Sequence, residues 1–244
     1  MESIILLIIV IIFSFVQSII GIGLLLFGTP TLLVLGYTFI ETLNILLLPS
    51  IAISFLQVIS FKNKKNDKII FYQNNFFIIC IPSLILGLLM MSNSYEFINF
   101  NYIVSMLLLL SAISRLSIKF SNIIFGQLNN SVSKIVFFII GIIHGITNLG
   151  GSFLSLYVSA IFLDSKIETR YVIALSYLVF GIIQIIYILL FHKASLDLIH
   201  LIYIAFAIII FKIIGNKVFD LIYTNTYQKF ITTLILIYSI LLLI

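Results

Sequence analysis

Charge is what this chain has least of. It carries 13 basic and 8 acidic residues in 244, or 9%, against about a quarter in an ordinary soluble domain. A soluble fold of this length needs a polar coat, and too few polar groups are present to make one. Tryptophan is absent, proline occurs three times and cysteine once. The lone Cys80 excludes an internal disulfide and, without ligand-like neighbours, reads as a packing residue. Strand-like alternation of apolar and polar residues is missing, which speaks against an outer-membrane barrel. No Walker loop is present, so the chain cannot hydrolyse a nucleotide itself. Three scattered histidines and one cysteine form no metal-ligand cluster. No cofactor is expected.

What is there is apolar. Hydrophobic residues make up 62% of the chain and the mean hydropathy is +1.30, the profile of an integral membrane protein in a lipid bilayer. Apolar segments fall at roughly 3–36, 42–61, 75–91, 102–118, 134–163, 169–191, 195–211 and 228–244. The charges gather between them, most densely at Lys62, Lys64, Lys65, Asp67 and Lys68. The net charge of +5 is therefore orienting charge, and nucleic acid is not expected as a partner. Met1-Glu2-Ser3 offers no basic residue ahead of Ile4–Val16, so this stretch reads as part of the folded protein and not as a removable leader.

Two segments are too long for one upright crossing. Continuous helices over 3–36 and 134–163 would run about 50 and 45 Å through a layer about 30 Å thick. Each contains a break: Gly21-Ile22-Gly23 with Gly28-Thr29-Pro30, and Asn148-Leu149-Gly150-Gly151-Ser152. Broken backbone at membrane depth persists only where protein or a polar cavity satisfies its freed groups. A shift of 127 residues places Gly23 on Gly150, Ile40-Glu41-Thr42 on Ile167-Glu168-Thr169 and Gln57 on Gln184 without a gap. Aligned breaks and a repeated segment order indicate an internal duplication, a common transporter design. The repeats would cover residues 1–122 and 123–244.

Basic residues then choose between two topologies. If all eight segments cross once, the basic count is 8 on the cytoplasmic side against 5 outside. If each long segment enters and returns to its own side, every basic residue except Lys193 is cytoplasmic, 12 against 1. The expected fold is thus an all-α polytopic membrane protein of two inverted repeats. Each repeat is a broken, re-entrant helical hairpin followed by three transmembrane helices.

Gly21-Ile22-Gly23, Pro30 nine positions after Gly21, and Leu32-Leu33-Val34-Leu35-Gly36 resemble the first signature of the sulfite exporter TauE/SafE family. Gly141, Gly145, Asn148-Leu149-Gly150-Gly151 and the Glu168-Thr169 pair resemble its second. Leu24 and Leu25 stand where the family has its last two first-motif glycines, and Asn148 stands where a glycine often opens the second. The resemblance implies a multi-pass transporter of the bacterial cytoplasmic (inner) membrane. It also implies a small anionic substrate, often sulfur-containing, such as sulfite, a sulfonate or thiosulfate. A homo-oligomer is left open.

The candidate substrate path is Gly21, Gly23, Thr29, Pro30, Gln57, His144, Thr147, Asn148, Gly150, Gly151, Ser152 and Gln184. Helix N-termini at such breaks present free N–H groups and a positive dipole end, which suit an anion. Against this, the glycines could serve close helix packing, and Gln57 and Gln184 could bond neighbouring helices. His144 is the one titratable side chain deep in an apolar segment, either a packing histidine or a proton-coupling group. Arg115 reads as a snorkelling residue at a segment end, and Glu41 and Glu168 as end caps. Export could be driven by membrane potential alone. The alternatives are a proton-coupled importer of an organic anion, an intramembrane enzyme built on Thr147, Ser152 and His144, and a structural scaffold.

Overall fold

A computed structural model describes residues 2–61, 67–94, 106–111, 113–114, 130–192 and 197–241. Arg115, Lys119, Lys193, Glu96, the Lys62–Lys65 loop, most of the 102–118 segment and the 122/123 repeat boundary lie outside the described residues. The described residues are helical with no strand.

Helix α1 (Glu2–Ile20) ends at the first break. A π-helical turn (Leu24–Gly28) runs into α2 (Thr29–Val34), and α3 covers Phe39–Ser60. Next come α4 (Asp67–Asn75), a second π-helical turn (Phe76–Cys80) and α5 (Ile81–Ser94). Helix α6 (Asn130–Thr147) ends at the second break and α7 (Gly150–Ile161) follows it. The chain continues through α8 (Lys166–Phe191), α9 (Leu198–Ile210), a third π-helical turn (Phe211–Gly215), α10 (Asn216–Leu221) and α11 (Thr224–Leu241). Among the described residues, five stretches are long and apolar enough to cross a membrane: Ser3–Ile20, Phe39–Ser60, Asp67–Met91, Lys166–Phe191 and Leu198–Leu221. The protein is a multi-pass membrane protein.

Two of these spans outrun their apolar segments. The third begins at Asp67 instead of near residue 75, and the seventh segment continues through Lys212 to Leu221. Lysine stems lie along apolar surface while their ammonium groups reach water, so a charge near a helix end does not stop the helix. Pro30 and Pro82 each sit just beyond a π-helical turn. A proline ring clashes with the carbonyl one turn earlier, and the wider π turn makes room for it.

The chain divides into two compact units. Unit one is Met1–Phe61 with Ile173–Tyr223, and unit two is Lys62–Val172 with Thr224–Ile244. In unit one, α1 packs against α3, α9 and the third π turn, while α3 covers the first π turn. In unit two, α5 lies along α6, where Gly141 and Gly145 bring the two backbones together. Tyr72, Phe76, Phe137 and Tyr157 stack there, with Phe137 edge-on to Tyr72 at 5.1 Å and to Tyr157 at 5.2 Å. Each unit therefore joins the broken segment of one sequence half to the π-kinked helix of the other.

The capping of α3 accounts for one repeated motif. Thr38 accepts the Glu41 amide on its hydroxyl while Glu41 Oε2 accepts the Thr38 amide at 2.8 Å. Ser165, 127 residues after Thr38, accepts the Glu168 amide at 3.2 Å. Glu41 and Glu168 thus belong to helix caps, as their place at segment ends suggests.

Candidate functional site

Both breaks reverse the chain. After the first, Gly28 returns beside Phe13, the Phe13 and Phe27 rings lie 6.2 Å apart, and Leu35 and Gly36 line a cleft with Ile5. After the second, the Tyr157 hydroxyl donates to Ser133 Oγ at 2.8 Å, tying α7 to the start of α6. These are helical hairpins, not long tilted helices.

The two turns are built alike, residue for residue, at the 127-residue offset. Gly21 has φ +94° and its amide donates to the Gln17 carbonyl at 2.8 Å. Asn148 has φ +64° and its amide donates to the His144 carbonyl at 2.9 Å. Asparagine tolerates this left-handed backbone better than most side chains, which explains how it can stand opposite a glycine. A Cβ on Gly23 would lie 2.6 Å from the Phe13 carbonyl oxygen and 2.5 Å from the Gln17 nitrogen. On Gly150 it would lie 2.5 Å from the Ile140 oxygen and 2.8 Å from the His144 nitrogen. The returning arm meets the outgoing helix backbone to backbone in both places.

Polar side chains hold each turn. Thr147 Oγ1 donates to the Ile143 carbonyl at 2.7 Å and accepts the Leu149 amide at 3.2 Å. Ser152 Oγ donates to the Leu149 carbonyl at 2.9 Å, so its hydroxyl is engaged in capping and not held by His144. In the first turn the same work falls to Gln17. Its Oε1 accepts the Leu24 amide at 3.1 Å, and its Nε2 donates to the Ser50 carbonyl at 2.9 Å and lies 3.0–3.1 Å from the Ser50 and Ser54 hydroxyls. Gln57 Nε2 donates to the Gln17 and Ser18 carbonyls at 2.8 and 3.1 Å, closing the C-terminus of α1. That is one of the two roles left open for it by the sequence. Its Oε1 is buried and accepts no hydrogen bond among the described residues.

Gln17, Ser50 and Ser54 were not singled out in the sequence. The signal available was the offset itself, because Gln17 precedes His144 by the same 127 residues. Thr29, Pro30, His144, Gly151, Ser152 and Gln184 are all buried, Pro30 in the first turn of α2 and Gln184 within α8. Gly21, Gly23, Thr29, Pro30, Gln57 and Gln184 belong to unit one; His144, Thr147, Asn148, Gly150, Gly151 and Ser152 belong to unit two.

Chemically, each turn is a cluster of amides facing no helical acceptor. A helix cannot bond its own first N–H groups. Gln17 and Thr147 take one at each turn, accepting the Leu24 and Leu149 amides. No group of three or more His, Cys, Asp or Glu side chains is placed to hold a metal among the described residues. The family model described as "Sulfite exporter TauE/SafE" matches residues 6–242. No curated protein and no solved structure matches the chain.

Proposed function

The chain belongs to the sulfite exporter TauE/SafE family, a transporter and not an enzyme, and from that premise we propose that it carries a small sulfur-containing anion out of the cell across the cytoplasmic membrane. Sulfite, thiosulfate and small sulfonates are the candidate substrates. The observation that carries this reading is the pair of matched hairpin turns, at each of which a new helix starts, with first N–H groups that its own backbone cannot accept. Backbone donors and neutral side chains bind an anion without a buried counter-charge, and weak binding by many donors permits release.

Each turn is proposed as a stretch of the substrate path in its own unit. The residue-by-residue match of the turns supports a duplicated chain, and the 12-to-1 basic count supports inversion of the two halves. Export of a monoanion gains about 2.3 kcal/mol per 100 mV of inside-negative potential. A carrier driven by that potential needs no coupling group, and His144 is assigned a packing role.

Proteoliposomes loaded with sulfite, thiosulfate, a sulfonate or a carboxylate, under an imposed potential, test the reading. Electrogenic flux of the sulfur anions, lost in Gly150→Leu at parental expression, is the expected result. Flux of carboxylates alone would replace the substrate class. Parental flux in Gly150→Leu would move the path away from the hairpin turns.

A further inference from the structure

Unit one has a second polar site, at the open end of the first hairpin and away from its turn. Helices α1, α3 and α9 begin at one end of it, and there two clefts of about 370 and 240 Å³ share Tyr37 and Glu41. The smaller is also lined by Asn44, His200 and Tyr203. Three membrane-capable spans begin at this level, at Ser3, Phe39 and Leu198. The site therefore sits at the membrane–water boundary.

Its polar groups are mixed in character. Tyr203 is only 2% exposed, and its hydroxyl has no hydrogen-bond partner among the described residues. A buried phenol left so is costly unless something fills the cleft. His200 Nδ1 lies 3.0 Å from the Asp197 amide and 3.2 Å from the Asp197 carbonyl; in the tautomer that accepts the amide, the ring proton is on Nε2, a second donor. Glu41 is exposed and spends Oε2 on the Thr38 amide and hydroxyl, which leaves Oε1 for a donor from outside. Two donors near a carboxylate suit a molecule with an anionic and a cationic pole.

The rim says where such a molecule comes from. Ile5, Leu35 and Ile199 border the clefts and are 45%, 51% and 36% exposed. On a membrane protein these side chains face lipid. The smaller cleft falls below the roughly 300–1,000 Å³ of drug-sized sites, enough for a headgroup whose chains lie outside on the rim.

We propose that this cleft binds an aminophospholipid headgroup, with its ammonium on Glu41 and its phosphate on the Tyr203 hydroxyl and the His200 ring. A primary ammonium donates hydrogen bonds to a carboxylate; a trimethylated one cannot. The site is independent of the transported anion.

Native mass spectrometry of the full-length protein in detergent tests it, with phosphatidylethanolamine, phosphatidylcholine, phosphatidylglycerol and free phosphoethanolamine offered at equal concentration. One phosphatidylethanolamine should be retained at least ten-fold more tightly than either other lipid. Tyr203→Phe and Glu41→Gln should each weaken it about ten-fold or more, the loss of a hydrogen bond to a charged group. Glutamine keeps an acceptor for the Thr38 cap, and melting in lipid-free detergent close to the parent's confirms that each variant is folded. If Tyr203→Phe unfolds, Glu41→Gln alone decides. Equal retention of the three lipids, or unchanged retention in the folded variants, overturns the site. Binding of free phosphoethanolamine as tight as that of the lipid overturns the membrane source.

Discussion

At residue 148 the backbone adopts φ +64°, and its counterpart Gly21 adopts +94°. A Cβ in this region crowds the following carbonyl, at about 1–2 kcal/mol for an ordinary residue. Asn148→Gly should therefore melt close to the parent, and Asn148→Ala about 1 kcal/mol below Asn148→Gly, read from thermal unfolding in detergent; equal melting would remove backbone strain from the account. Gln17 presents a different balance. It serves one amide, one carbonyl and two hydroxyls, all buried. Gln17→Leu leaves the Leu24 amide without its acceptor, costing about 1–3 kcal/mol, and should lower both melting temperature and flux. The position of Gln17 also bears on His144, its counterpart in the other turn. A glutamine cannot titrate, so a turn of this design needs no proton. His144→Gln should keep potential-driven flux within a few-fold of the parent from pH 6 to 8, measured in proteoliposomes; loss of most of the rate together with its pH dependence would make His144 a coupling group. In the sequence His144 stood out by its chemistry, whereas Gln17 looked like one more polar residue before a glycine motif.

Among the elements, the hairpins were the most legible, because length and charge both pointed to them over long tilted helices. A run of about 50 Å cannot stand upright in a 30 Å layer, and the basic residues balance only if the run returns. What holds the second hairpin shut was not legible. Tyr157 and Ser133 are 24 positions apart and meet only once the chain has turned. Tyr157→Phe removes that bond and should cost about 1 kcal/mol. Hydrogen exchange should rise in α7 and not in the Leu24–Val34 arm; a uniform rise would mean that the tie serves the whole fold. The π turns were hidden for another reason. Pro30 and Pro82 signalled interruption, but a proline equally signals a kink or a helix start, and the third π turn, Phe211–Gly215, has no proline near it. We have no physical account of the third beyond the close approach of Gly215 to Ser18. Charge also misled the reading of helix ends. Lys212 and Lys217 look like loop residues, yet α9 continues past them as a π turn and α10.

On the scale of the whole molecule, the two sequence halves do not form separate bodies. The α1 hairpin packs with α9 and α10 from the second half, and the α6 hairpin with α4 and α5 from the first. Such an exchange binds each half into both units, so neither half is expected to be stable alone. It has no sequence signature, because segment order says which helices exist and not which ones pair. Orientation is the part that sequence addresses through charge, and it can be tested on the intact cell. Helix α3 runs from the Thr38 cap to Ser60 and leads into the basic Lys62–Lys68 stretch. If the halves are inverted, that stretch and the Lys212–Lys229 region share the cytoplasmic side, and Lys193 alone among the basic residues is outside. The native thiol is buried at Cys80 and is removed by Cys80→Ser. In that background an impermeant thiol reagent should label Lys193→Cys on intact cells and spare Asn66→Cys and Asn225→Cys until the membrane is opened. Eight simple crossings would instead place residues 66 and 225 on opposite sides, so that one of them labels without permeabilisation. That single result would overturn the inverted arrangement and, with it, the return of each broken segment to its own side.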